Sequence, residues 1–264
     1  MDPEILAPPP PPPPVVSPAI AVRDLRKYYG AKAAVDGLSL TVPRGCFFGF
    51  LGPNGAGKTT TIRMLMGVST PNSGDIEILG LRMPADGVAI KRQLGLVPED
   101  TLLFDHLTAH EYMEFTGRIY GLPAEMTRER TRELLALFEM DSHGRKLIGE
   151  FSKGMRKRVA MAAALLHRPQ LFLMDEPFEG VDAVGARLMK DILLDLVSKG
   201  ATIFLTSHVL EVVERLCDRV AIISAGRLVV DDSMDTLRAS SESLEDIFVR
   251  VVGGSRAGEN LEWL

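Results

Sequence analysis

Nine consecutive residues, Gly52-Pro53-Asn54-Gly55-Ala56-Gly57-Lys58-Thr59-Thr60, carry the most legible chemistry in this chain. They follow the apolar run Phe47-Phe48-Gly49-Phe50-Leu51 and open a segment with Ile62, Leu65 and Met66 on one helical face. An apolar strand, a G-x-x-x-x-G-K-T loop and an amphipathic helix, in that order, make a phosphate cradle, or P-loop. Its glycines let main-chain N–H groups turn inward and reach phosphate oxygens with no side chain between. The helix aims the positive end of its dipole at the same anion. Lys58 is expected to bridge the β- and γ-phosphates of a nucleoside triphosphate, and the Thr59 hydroxyl to ligate Mg²⁺. Average composition yields the bare pattern by chance in only about 1% of chains this long.

A phosphate cradle alone does not separate a kinase from a GTPase or a transport ATPase. The segment Leu171-Phe172-Leu173-Met174-Asp175-Glu176-Pro177 narrows the choice, because four apolar residues end in two carboxylates. In an open α/β sheet the carboxyl ends of the strands face the ligand crevice. Asp175 suits the Mg²⁺ side, holding the ion through water. Glu176, pointing the other way, suits the general base that polarises an attacking water. His208 ends a further apolar run, Ile203-Phe204-Leu205-Thr206-Ser207, and is expected at the same crevice edge, within reach of the γ-phosphate. His106, His110, His143 and His167 have no such setting and read as surface or structural.

Such a crevice needs a sheet. Strand-like runs occur at 20–25, 38–42, 46–51, 76–79, 94–97, 171–174, 202–206 and 220–224, and Ala225-Gly226 reads as a hairpin turn into 227–230. Helical periodicity marks 59–66, and also 184–197, where Leu188, Ile192 and Leu196 fall in register before Gly200. The stretch 102–168 is different: helical patterns at 110–120, 127–140 and 155–167 have no strand among them. A helix-only insertion in an α/β chain reads as a separate lobe. The expected fold class is therefore α/β, a P-loop core with an inserted α-helical subdomain and a small antiparallel β region. The ATPase domain is expected over 19–235, after a proline-rich arm (1–18) and before a C-terminal extension (236–264). The seven prolines at 8–14 suit an extended polyproline II tail, free or partner-bound. In the extension, Leu244, Ile247 and Val251 share one helical face that either docks a partner or closes the core. The last dozen residues read as loose.

The bulk numbers exclude other classes. The net charge of −5, with scattered basic residues, gives no footprint for nucleic acid. No apolar run approaches the ~20 residues that span a bilayer, and the acidic, proline-rich start lacks the features of a signal peptide. The chain is thus expected in the cytosol, with any membrane role supplied by a partner. Cys46 and Cys217 sit in apolar surroundings without metal-ligand spacing and read as buried free thiols.

Taken together, these residues resemble the ABC ATPase family over roughly residues 19–235. Phe151-Ser152-Lys153-Gly154-Met155 stands where that family carries its L-S-G-G-Q signature; Ser152 and Gly154 match, whereas Phe151, Lys153 and Met155 depart. The resemblance implies that this segment, at a helix N-terminus, binds the γ-phosphate of ATP held by the opposite subunit. Leu94-Gly95-Leu96-Val97-Pro98-Glu99 is similar to the Q-loop, with Glu99 replacing glutamine and able to ligate Mg²⁺. Glu179-Gly180-Val181-Asp182 is similar to the D-loop; Asp182 matches, and Glu179 replaces a small residue. Tyr29 takes the place of the aromatic that stacks on adenine, with Tyr28 as the alternative and a core tyrosine as the plainer reading. His208 matches the switch histidine.

The resemblance implies an ATP-hydrolysing subunit, with ATP and Mg²⁺ as cofactors, that dimerises with itself or a paralogue around two ATP. It would drive a separately encoded membrane permease from the cytosolic face, on the export-type branch. A non-transport ABC ATPase for DNA repair, translation or cluster assembly is the second reading. It lacks support from long coiled coils, zinc modules or a duplicated cassette. A weakly hydrolysing interaction module is the third, and the presence of Glu176 and His208 argues against it.

Overall fold

The computed structural model describes residues 17–239 and 242–253. The proline run at 8–14 and the segment after Gly253 lie outside the described residues. Ser17 is tied to Arg44, its carbonyl accepting from Nε at 2.8 Å.

The chain opens with β1 (Ile20–Tyr29) and β2 (Lys32–Val42), then β3 (Phe47–Leu51), which feeds α1 (Lys58–Leu65). Next come β4 (Ser73–Ile78), β5 (Leu81–Met83), α2 (Gly87–Lys91) and β6 (Leu94–Val97). Three helices follow with no strand between them: α3 (Ala109–Ile119), α4 (Ala124–Leu137) and α5 (Lys153–Leu165). The chain then alternates through β7 (Leu171–Asp175), α6 (Ala183–Ser198), β8 (Thr202–Ser207) and α7 (Leu210–Leu216). It ends in β9 (Arg219–Ser224), β10 (Arg227–Ser233), α8 (Met234–Ala239) and α9 (Leu244–Val252).

Two sheets result. One is antiparallel, in the order β2-β1-β4-β5; the other has the order β10-β9-β3-β8-β7-β6, parallel except for β10. The parallel centre follows from composition. Every residue of β3, β7 and β8 is buried, as apolar strands covered on both faces require. Period-2 alternation divides the core: Phe47 and Leu51 of β3 pack toward α5, α6 and α7, whereas Phe48 and Phe50 face α1 and the antiparallel sheet. Phe204 stacks on Phe48 with ring centroids 5.7 Å apart. Burying each such side chain contributes about 1.5–3 kcal/mol. The β9–β10 turn has Ala225 and Gly226 both at positive φ, 48° and 80°, the conformation a tight hairpin needs.

The helical lobe is anchored rather than detached. Thr108 caps α3 through a reciprocal capping box with Glu111, and the small residues Ala160, Ala162, Ala163 and Ala164 are buried where α5 packs. The two readings of the 244–252 face resolve by burial. Leu244 and Ile247 of α9 join the core beside α7 and β9, so this face closes the domain. Periodicity does not mark β5, α2, α7 and α8, each of seven residues or fewer, about two helical turns at most.

Candidate functional site

The P-loop joins β3 to α1 and is shaped by what its glycines exclude. Gly57 has φ 113°, and a Cβ there would lie 2.4 Å from the Ala34 carbonyl oxygen. A Cβ on Gly52 would sit equally close, 2.4 Å, to the carbonyl oxygen of Ile223. Backbone thus presses on the outer side of the loop, and only glycine fits. No side chain caps α1, so its first N–H groups stay free for an anion. Lys58 folds over the loop, donating from Nζ to the carbonyls of Gly52 at 2.6 Å and Pro53 at 3.3 Å. Burial lowers its pKa, while Glu176, Asp175 and Glu99 pull it back up, so three carboxylates act on one ammonium. Beside it, Tyr29, Lys32, Ala34, Pro53, Asn54, Gly55, Gly57, Lys58, Thr59 and Thr60 line a cleft of about 260 Å³. Tyr29 is half exposed, which removes the core-tyrosine reading, and Tyr28 does not line this cleft.

The two carboxylates stand at the end of β7. Asp175 Oδ1 accepts from the Thr206 hydroxyl of the neighbouring β8, which fixes its orientation. Glu176 leaves the strand at φ 47°, a left-handed conformation that a non-glycine residue holds only when its surroundings impose it. They do so here. Its N–H reaches Thr206 through both the carbonyl and the hydroxyl oxygen, and its carboxylate oxygen Oε1 lies 2.8 Å from His208 Nδ1. Burial pushes the Glu176 carboxyl up; the His208 bond, then Lys58, pulls it down. A buried carboxylate held by an imidazole beside a phosphate loop can accept a proton from water. Glu99, in the loop after β6, is exposed, and its charge reaches Lys58.

Hard oxygen donors are what Mg²⁺ demands, and Thr59, Asp175 and Glu99 supply a hydroxyl and two carboxylates. Among the described residues no cluster of three or more His, Cys, Asp or Glu makes a ready-built metal cage. Both cysteines are buried free thiols, and burial pushes Cys46 up to about 11 and Cys217 higher still.

The segment 151–155 begins α5 two residues earlier than its periodicity indicates. Ser152 is the N-cap, its hydroxyl oxygen accepting the Met155 N–H at 3.2 Å. The hydroxyl proton is left to donate outward, and Ser152 is exposed. Among the described residues, no hydrogen bond joins this segment to the P-loop. Two departures from the family pattern turn out to be partners: Lys153 Nζ lies 2.9 Å from Glu179 Oε1. This bond holds the Glu179 carboxyl below its ordinary range and raises Lys153. A Cβ on Gly180 would lie 2.6 Å from Lys153 Cδ, so the glycine makes room for the lysine stem. Asp182 caps α6 through the Gly185 N–H at 2.8 Å and meets Arg158 at 3.1 Å.

Sequence reasoning passed over Lys157 and Arg158. Lys157 is fully buried among the basic residues Lys153, Arg156 and Arg158 of α5. Its spacing of four from Lys153 puts both on one side of α5, the only sequence signal available.

The sequence profile of the ABC transporter family matches residues 35–179, more than half of the chain. An ABC transporter ATP-binding protein of Nostoc sp. is 40% identical over 233 residues, covering 85% of this chain and 69% of that protein. A daunorubicin resistance ATP-binding protein of Streptomyces coeruleorubidus is 38% identical over 223 residues, covering 84% of this chain and 71% of the relative. Among solved structures, an ATP-binding subunit of an ABC transporter superposes with a TM-score of 0.83 at 31% identity, covering 88% of this chain and 99% of that one. On the family match over more than half of its length and these relatives, the chain belongs to the ABC transporter family, as an ATP-binding and ATP-hydrolysing subunit.

Proposed function

We propose that this chain is the ATPase subunit of a multi-subunit exporter. It closes with a second copy or a paralogue around two ATP and drives a permease from the cytosolic face of the membrane. The observation that carries the reading is the Glu176–His208 pair across the ends of β7 and β8, with Lys58 acting on the same carboxylate. Lys58 holds the phosphates, Glu176 takes the proton from water, and His208 orients that carboxylate and senses the γ-phosphate. Tyr29 stacks on the adenine, and Thr59, Asp175 and Glu99 hold Mg²⁺. The export assignment draws on the resistance function named for the Streptomyces relative.

No described helix is long and apolar enough to cross a membrane, and the crossing is assigned to the permease. A surface for it lies beside Glu99. Leu96, Pro98, Leu103, Tyr112 and Phe115 line a cleft of about 280 Å³, and Leu102 at its rim is 89% exposed. Affinity purification of the tagged chain from detergent-solubilised membranes is expected to bring down one polytopic membrane protein in near-equal amount. Recovery of the chain with no membrane partner would overturn the transport reading.

Two predictions probe the departures from the family pattern. Glu99→Gln should keep ATPase activity but shift its Mg²⁺ dependence, because one negative charge leaves the metal's neighbourhood. A Mg²⁺ titration superimposable on the parent's would leave Glu99 without a metal role. For the Lys153–Glu179 pair, both members are about half exposed, so their bond contributes little stability. Exchanging the charges with Lys153→Glu and Glu179→Lys together should therefore move the melting temperature by less than about 4 °C. The same exchange puts a carboxylate at the N-terminus of α5, where phosphate must dock, and should abolish ATP-driven dimerisation. Normal dimerisation by the exchanged variant would confine Lys153 to its ion pair.

A further inference from the structure

Three side chains of α5 hold the loop that follows β7. Lys153 binds Glu179, Arg158 binds Asp182, and between them Lys157 points into the interior. Lys157 is 0% exposed, and its Nζ donates to two main-chain carbonyls, Pro98 at 2.9 Å and Glu176 at 3.2 Å. Pro98 precedes Glu99 in the loop after β6, beside the apolar cleft. Glu176 carries the strained backbone and the carboxylate at the end of β7. One ammonium therefore ties together the helical lobe, the 98–99 loop and the main chain of Glu176.

A buried ammonium is a costly way to join two carbonyls when, among the described residues, no carboxylate bonds to it. A well-packed apolar side chain in such a place is often at least as stable. Burial pushes the Lys157 pKa down and so does Lys153, while Glu179, Asp175 and Glu99 pull it up. The surrounding carboxylates keep a cation tolerable without fixing it in a single pair. Lengthening either bond moves a group that matters: Pro98 carries Glu99 with it, and the Glu176 carbonyl carries the carboxylate.

We propose that Lys157 is a positioning residue that couples the 98–99 loop to the Glu176 main chain, so that movement of the loop aligns or misaligns the carboxylate. The proposal rests on the reading of Glu176 as the base. Buried and bonded to main-chain carbonyls, Lys157 acts through Glu176. Its loss should leave nucleotide binding intact and lower turnover.

The test is Lys157→Met, which keeps most of the apolar stem and removes the donor, in the full chain together with its permease. ATP affinity, measured by fluorescent-nucleotide titration, should stay within about threefold of the parent, since uniform binding is untouched. Turnover should fall by about 10-fold or more, the scale of a small misplacement of a reacting group. Lys157→Gln keeps a donor that reaches one carbonyl and should recover most of the lost turnover. If Lys157→Met does not fold, Lys157→Asn takes its place, polar but too short to reach both carbonyls. Turnover within twofold of the parent in a folded Met or Asn variant overturns the proposal, as does a failure of Gln to restore any of it. Glu176→Gln run in parallel separates the two ideas. If it hydrolyses ATP freely, the base assignment fails; if it is dead while Lys157→Met is active, only the coupling fails.

Discussion

Glu176→Gln is expected to bind MgATP as the parent does and to hydrolyse it at least about 100-fold more slowly, the scale on which a general base acts. The amide has the shape of the carboxylate and keeps an oxygen toward His208, but it cannot take a proton from water. Burial and the Thr206 contacts hold residue 176 in its left-handed conformation whatever the side chain carries. The loss should therefore fall on turnover and not on folding. Since the ATP-bound dimer forms and cannot discharge, it should accumulate, visible by size-exclusion chromatography with light scattering when MgATP is present. Hydrolysis within a few-fold of the parent would remove Glu176 from the base role, and the short contact to His208 would then be structural.

The parts of this site that can be read in sequence are those whose requirement is local. The P-loop pattern lies within nine residues and can be read there, although the carbonyl oxygens that bar any other residue at Gly57 and Gly52 belong to the distant Ala34 and Ile223. Asp175 and Glu176 are legible because four apolar residues announce the strand that delivers them. The central parallel sheet follows in the same way, from strands apolar at every position.

What stays hidden depends on which surfaces meet. Lys157 has the same residue type as its exposed neighbours, and only the packing of α5 against the 98–99 loop and the 176–182 loop buries it. Lys153 and Glu179, read separately, look like two unrelated departures. They are 26 positions apart in sequence, and their bond exists because Gly180 leaves space for the lysine stem. The apolar face of α9 is plain in its periodicity, but nothing in the segment tells whether the surface it covers belongs to this chain or another. Leu244 and Ile247 settle that by their burial beside α7.

The other large effect concerns how the ATP site is completed. Ser152 starts α5 in the helical lobe with an exposed hydroxyl, and no hydrogen bond among the described residues links it to the P-loop of its own chain. The uncapped α1 N-terminus offers its N–H groups to one anion and a second helix start stands apart from it, an arrangement that a second copy can close over. The working site should then combine Lys58 of one subunit with Ser152 of the other. Heterodimers of two tagged chains carrying Lys58→Ala and Ser152→Trp test this by symmetry. With the lesions on different chains, both fall in one composite site and the other site is intact. With both on one chain, each site has one defect. The split arrangement should occlude about one ATP per dimer, as one sound site of two allows, and the doubled arrangement essentially none. Occlusion is the proper readout, because turnover needs both sites to cooperate under this reading. Equal occlusion by the two heterodimers would sink the composite site and leave each chain as a self-contained ATPase.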